Sequence, residues 1–380
     1  MKVSNLSFLR RSSRGLPRFC AVLALLSLQA PLASCQSRSA KSTVAYGPKP
    51  ASKSSMLSAV QIDKFKLSAA PGTADGYPVT IDQGRFFAST GGGFPIPSGH
   101  FIEQGWGGTA IGWAVGDPMQ PAPDNLEIRW YSYAEDAFWQ GHFLLPQERI
   151  HALLKQGYWN PEQKRQETYD DLAVSVLPTG GVVVWLRGSN WLVIGRYQAQ
   201  RIDYDYALHR PRVDRAAVLA KCRAEMSPQV QQEIKTGTLS AKKWDEYLRR
   251  YRWRFEFSQP VTLSNFSLSL LSAERMSTAP TPDFAAYTRE LMLSPTEKAV
   301  PKSTMLYLTG AYGRKRLLKI KPFDEAETQA AFRRLHAQFP KEALTLHVEL
   351  NPELTTAALS LRAGGKSLPL TKSKAQFFDW

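Results

Sequence analysis

Apolar and polar residues alternate through Leu126-Glu127-Ile128-Arg129-Trp130-Tyr131, a period of two that predicts a half-buried strand. Upstream, Tyr77-Pro78-Val79-Thr80-Ile81 and the glycine-rich stretches Gly91-Gly92-Gly93 and Gly105-Trp106-Gly107-Gly108 read as short strands and tight turns. The clearest segment runs from residue 172 to 197. There Leu172-Ala173-Val174-Ser175-Val176-Leu177, Val182-Val183-Val184-Trp185-Leu186 and Trp191-Leu192-Val193-Ile194 are separated by Pro178-Thr179-Gly180-Gly181 and Gly188-Ser189-Asn190. Apolar runs of that length divided by turn chemistry predict a three-stranded antiparallel meander.

Helical spacing is rarer. Ile150, Leu153 and Leu154 share one side of a segment that opens with Pro146 in its first turn and stops at Gly157. From residue 213 to 252 the spacing is three and four, with a break at Gly237 and with Trp244, Tyr247, Leu248 and Tyr251 on one side, which predicts helices covering one sheet face. Strands are expected again at 261 to 271, 305 to 308 and 317 to 320, with a loop at 278 to 282. Asp324 and Glu327 have the spacing of a capping box before Ala330, Phe332 and Leu335. A hairpin over 344 to 361 and a Gly364-Gly365 turn close the chain. These elements predict an α+β fold of mostly antiparallel sheets, with a helical segment packed on one face and a β-rich C-terminal portion.

The N-terminus has a different character. Lys2, Arg10, Arg11, Arg14 and Arg18 precede an apolar run from Phe19 to Ala33, shorter than the roughly 20 residues a membrane span needs and suited to a secretory leader. It ends in Leu32-Ala33-Ser34-Cys35, the pattern of a bacterial lipobox, in which the cysteine thiol is acylated before cleavage. Residues 1–34 are thus expected to be a lipoprotein signal peptide and Cys35 the lipidation site, anchoring the chain to a bilayer. Gln36 in place of an aspartate favours the periplasmic leaflet of the outer membrane. Residues 35–60 are rich in Ser, Lys, Ala and Pro, the composition of a flexible tether with a reach of about 25–30 Å. The main α+β domain is expected over 61–260 and the β-rich portion over 261–380.

Composition supports a globule with a real core: 380 residues, 43% hydrophobic and 11% aromatic. Removal of the five leader cations lowers the formal charge from +15 to +10. Cations interleaved with aromatics, as in Arg249-Arg250-Tyr251-Arg252-Trp253-Arg254, suit nucleic acid in general, but export excludes that partner. In an envelope they would meet lipid headgroups, glycans or acidic proteins, or simply complement a helix end.

The search for chemistry yields no constellation. The histidines are scattered singly without helical zinc spacing, and neither a nucleophile elbow nor a phosphate loop is present. Cys222 has no partner for a disulfide once Cys20 is cleaved and Cys35 acylated, and a lone cysteine in a helical stretch reads as a small core residue. Asp170 and Asp171 read as solvating residues flanking a strand. No cofactor or metal is expected, nor an enzyme, although a dispersed active site stays open because such sites are defined by geometry.

Leu144-Leu145-Pro146 with Ile150, Tyr169, and the run Pro178, Gly180, Gly181 to Trp185 together resemble a family of proteobacterial lipoproteins catalogued as domain of unknown function twenty-nine thirty-one, over roughly residues 75 to 260. The resemblance implies a periplasmic immunity role, because similar proteins are often encoded beside type VI secretion phospholipase effectors. It supplies no catalytic residues. The expected function is a non-catalytic binder of a secreted toxin, with a binder of peptidoglycan or other glycan as the alternative. Candidate partner-contacting residues are Gly92 and Trp106 in the glycine loops and Arg249, Arg250 and Arg252 in the basic run; Trp106, Trp113 or Trp139 would serve the glycan alternative as sugar platforms.

Overall fold

The structure is a computed structural model that describes residues 63–112 and 116–379. The expected leader over 1–34, the expected tether over 35–60 with Cys35, and Trp113 lie outside the described residues. Three large sheets carry the chain. The longest has nine strands in the order Ser68–Thr73, Asp171–Val176, Gly181–Arg187, Trp191–Gln198, Arg275–Met276, Thr262–Leu270, Pro301–Thr309, Lys315–Ile320 and Ala375–Phe378. A six-stranded sheet contains Gln200–Ile202, Ala137–Leu144, Asn125–Ser132, Val79–Phe87 and Gly93–Pro95, with Phe101–Ile102 paired to Val79–Phe87. The third sheet has five strands: Thr296–Ala299, Arg250–Phe257, Leu344–Leu350, Ala357–Ala363 and Lys366–Pro369. Pairing is antiparallel except where Ser68–Thr73 meets Asp171–Val176 and Arg250–Phe257 meets Leu344–Leu350. The fold is α+β, as the periodicities predict.

The Gly181–Arg187 strand shows why the nine-stranded sheet sits in the middle. Its residues are apolar without alternation because both faces are covered. Val182, Val184 and Leu186 join Ile81, Leu126, Ile128 and Trp130 in one core, beneath the six-stranded sheet. Val183 and Trp185 point the other way, into a second core shared with Trp244, Tyr247, Trp253, Phe266 and Phe332. The nine-stranded sheet takes strands from both sides of residue 260, so that boundary divides no sheet from another.

Helices at Arg215–Glu225, Pro228–Thr236 and Lys242–Leu248 line the second core with Leu219, Cys222, Val230, Trp244 and Tyr247. Asp214 caps the first by accepting from the Ala216 and Ala217 N–H groups, Ser227 caps the second, and Gly237 ends it at φ 65°. Asp324 likewise caps Glu325–Gln338 by accepting from the Glu327 N–H. The helical reading of residues 249 to 252 is corrected: the helix ends at Leu248 and a strand runs from Arg250 to Phe257. Tyr247 and Tyr251 fit a helical face, but Tyr251, Trp253 and Phe255 are equally spaced at two and all are buried. Two neighbouring strands supply the backbone partners that decide between the periods. Asp171 is corrected as well. It is no solvating residue, since it accepts from Arg187 Nε at 2.7 Å, and the same guanidinium donates to the Gly107 and Thr109 carbonyls. Sequence periodicity also gives no sign of the short helix Phe284–Thr288 and its π-helical continuation Arg289–Leu293, or of the edge strand Ala375–Phe378.

Candidate functional site

The two halves of the six-stranded sheet's alternation have different fates. Leu126, Ile128 and Trp130 point into the first core, so the intervening residues face outward. Cross-strand register then arranges the outward side chains in rows. Gln83 stands opposite Arg129, which stands opposite Gln140, which stands opposite Gln200. The next row is Arg85, Glu127 and His142, and the next Phe87, Asn125 and Leu144.

Short polar contacts fix these rows. Arg85 Nε lies 3.0 Å from Glu127 Oε2, and its guanidinium sits 4.4 Å from the centre of the Phe87 ring. His142 Nε2 and Asn125 Oδ1 are 2.7 Å apart. A β-bulge between Ile81 and Gln83 inserts Asp82 as an extra residue and aims its carboxylate along the sheet. Asp82 Oδ2 accepts from Arg129 Nε at 2.6 Å, and Oδ1 lies 2.7 Å from His209 Nδ1. Arg129 also stacks 4.0 Å over the Tyr204 ring.

One end of the face is closed. Asp205 caps the single turn Tyr206–His209, which lays Tyr206 and His209 against Tyr131 and Phe138. Burial, reinforced by the Asp136 carboxylate that accepts its proton, holds the Tyr131 phenol well above its ordinary range, and burial also raises Tyr206. Both stay neutral. His209 is 3% exposed, and its Nε2 is buried without a hydrogen-bond partner. The Asp–His pair so covered braces Arg129.

Beyond that lid the surface is concave. A cleft of about 430 Å³ is lined by Gln83, Arg85, Glu127, Gln140 and His142, with backbone from Gly84 and Gly141 as part of its wall. A second recess of about 260 Å³ adjoins it through Gln140 and His142 and adds Gln198, Gln200 and Ile202. Amides, a guanidinium, a carboxylate and an imidazole converge there, with the charges already paired. Such a surface offers directional hydrogen bonds on a rigid sheet. Among the described residues no group of three or more His, Cys, Asp or Glu could hold a metal ion.

The residues singled out in the sequence fall elsewhere. Trp106 is half-buried and braces the second core: its Nε1 donates to the Leu271 carbonyl at 2.7 Å, and its ring meets Trp185 edge-on at 4.8 Å. The loop around it is tied down by Asp75, Ser175 and Arg187. Trp139 faces inward beside Trp130 and beneath Gly180. Pro178 and Gly180 form a 3₁₀ turn that continues into Gly181, and Trp185 is fully buried. Gly92 is exposed in the turn between Val79–Phe87 and Gly93–Pro95, at the edge of the six-stranded sheet. Arg249 pairs with Glu246, Arg250 with the buried Glu274, and Arg252 is exposed on the five-stranded sheet. None of these lines the cleft. The signal that could have found it is the polar half of the 126 to 131 alternation.

A sequence model of the family described as protein of unknown function (DUF2931) matches residues 49–241, a stretch that contains every residue of the cleft. No curated protein and no solved structure matches the chain.

Proposed function

The chain belongs to the DUF2931 family, and on that premise we propose that it is a membrane-tethered periplasmic lipoprotein that binds and neutralises a type VI secretion phospholipase effector. The observation that carries the reading is the position of the open cleft: it lies wholly within the family-matched stretch, on the outward face of the six-stranded sheet. The pattern Leu32-Ala33-Ser34-Cys35 and the tether after it support an anchor that keeps the domain within about 25–30 Å of the bilayer such a toxin attacks. Tethering concentrates an inhibitor at that surface.

The chemistry of the face suits a polypeptide partner. Arg85 is an exposed donor and His142 an exposed polar ring beside Phe87, and arginine and aromatic residues are the usual anchors of protein interfaces. The ion pairs of Arg85 and Arg129 hold their side chains before a partner arrives, which lowers the ordering cost of binding. Neighbouring Gln83, Gln140 and Gln200 add donors and acceptors without net charge.

The test is capture of a purified type VI secretion phospholipase effector, with Arg85→Glu and His142→Glu as face variants. Both should lose at least a hundredfold in affinity while melting like the parent, and deletion of the gene should expose the strain to sibling attack. Capture by the face variants at parental strength would remove the cleft from the interface. Survival of the deletion strain, with the protein retained on peptidoglycan sacculi in place of the effector, would replace the toxin reading with the glycan one.

A further inference from the structure

Sharing no residue with the cleft, a smaller recess of about 250 Å³ between a hairpin and a loop is lined among others by Trp159, Ser264, Asn265, Ser277, Thr281 and Phe284. Its walls are fixed by backbone and buried contacts. The Trp159 N–H donates to the Ala279 carbonyl at 2.8 Å, and Gln166 Nε2 donates to the Pro280 carbonyl at 3.0 Å. The buried Asn190 side chain holds the loop from beneath: its Oδ1 accepts from the Ser277 and Thr278 N–H groups, and its Nδ2 donates to the Thr278 carbonyl. Phe284 rests 5.4 Å from Phe266. Most of these residues lie beyond the family-matched stretch, which supplies Trp159.

Trp159 is singular. Every other described tryptophan makes a hydrogen bond, a ring contact or a cation contact, whereas the half-buried indole of Trp159 makes none and borders this recess. All side chains lining the recess are neutral, so a charged ligand would lose water there without a counter-charge. The Ser264 and Ser277 hydroxyls donate to the Tyr307 and Ser189 carbonyls, but a wholly apolar ligand would desolvate the Thr281 hydroxyl and the Asn265 amide without a partner for them. Asn265 Oδ1 already accepts from the Phe266 N–H at 2.7 Å, which leaves its NH₂ group to donate. The volume lies below that of drug-sized pockets and suits a single ring.

A ligand with one C–H face and an edge of hydroxyls satisfies all of these conditions. We propose that this recess binds a neutral pyranose ring of a glycan chain, its C–H face on the Trp159 indole and its hydroxyls at Asn265, Ser277 and Thr281. The proposal does not rest on the cleft or on the toxin reading.

Saturation-transfer NMR on the purified full chain, with chitotriose and maltotriose as separate probes, tests it; the two distinguish an N-acetylated glycan from a plain one. Transfer to at least one sugar is expected. Trp159→Ala should weaken it tenfold or more, Trp159→Phe by less, and Asn265→Ala several-fold with unchanged melting, whereas the cleft variant Arg85→Glu should bind sugar like the parent. Asn265 is exposed, so that variant reports even where Trp159→Ala fails to fold. Absence of transfer to both sugars, or parental affinity in Trp159→Phe and Asn265→Ala alike, would overturn the proposal.

Discussion

The Trp185 indole Nε1 donates to the Ser272 carbonyl at 2.9 Å, joining a strand of the family-matched stretch to a tight turn near the start of the C-terminal portion. Trp106 holds the adjacent Leu271 carbonyl in the same way. Two tryptophans thereby fix one turn, and the sheet continues through it.

Trp185→Ala removes a fully buried ring and is expected to cost about 3–5 kcal/mol. Trp185→Phe keeps most of the ring and loses the hydrogen bond, at a cost of about 1–2 kcal/mol including the carbonyl left unpaired. Urea unfolding of both variants checks the order.

Gly180 has φ 81°, and a Cβ there would stand 2.4 Å from the Trp139 ring. Gly180→Ala therefore combines an unfavourable backbone with overpacking and should lose roughly 1–3 kcal/mol. Trp139→Leu should recover part of that loss in the double variant, whereas a strictly additive cycle would place the strain elsewhere.

Arg250 and Arg252 lie two residues apart on one strand with different roles. Arg250 pairs with Glu274, which is 2% exposed and also accepts from the Ser272 hydroxyl. Arg250→Ala leaves a buried carboxylate without its counter-charge and should cost about 3 kcal/mol. Arg252→Ala should change melting little, because that side chain is exposed.

Burial pushes Lys298 down to about 7, although the carbonyls of Trp253 and Leu291 accept from its Nζ at 2.7 and 3.0 Å. Unfolded, the amine returns to its ordinary value near 10.5. Between those values the unfolded chain binds more protons, so this group makes stability rise with pH above 7 by up to roughly 1.4 kcal/mol per unit, and adds no slope below it. Denaturation at pH 6, 7.5 and 9 should show the rise in the parent and a shallower one in Lys298→Met.

Cys35→Ala should abolish lipidation, and globomycin should leave a larger precursor of the parent. The variant is expected in the soluble periplasmic fraction, and a variant still sedimenting with membranes would refute the acyl anchor.

What the sequence determined by itself was local. The alternation at 126 to 131, the turn chemistry at 178 to 181 and the cap at Asp324 each depend on backbone groups a few residues away, so spacing reveals them. Tertiary structure decided the rest. Tyr251 fits a helical face with Tyr247 and a strand alternation with Trp253 and Phe255, and pairing with residues 296 to 299 and 344 to 348 holds the strand. The cleft unites Gln83, Arg85, Glu127, Gln140 and His142, and the recess sets Trp159 beside Asn265 and Phe284. Such neighbours are chosen by the burial of distant apolar faces and by strand register, and a one-residue slip of a cleft strand would turn its cleft side chains to the opposite face.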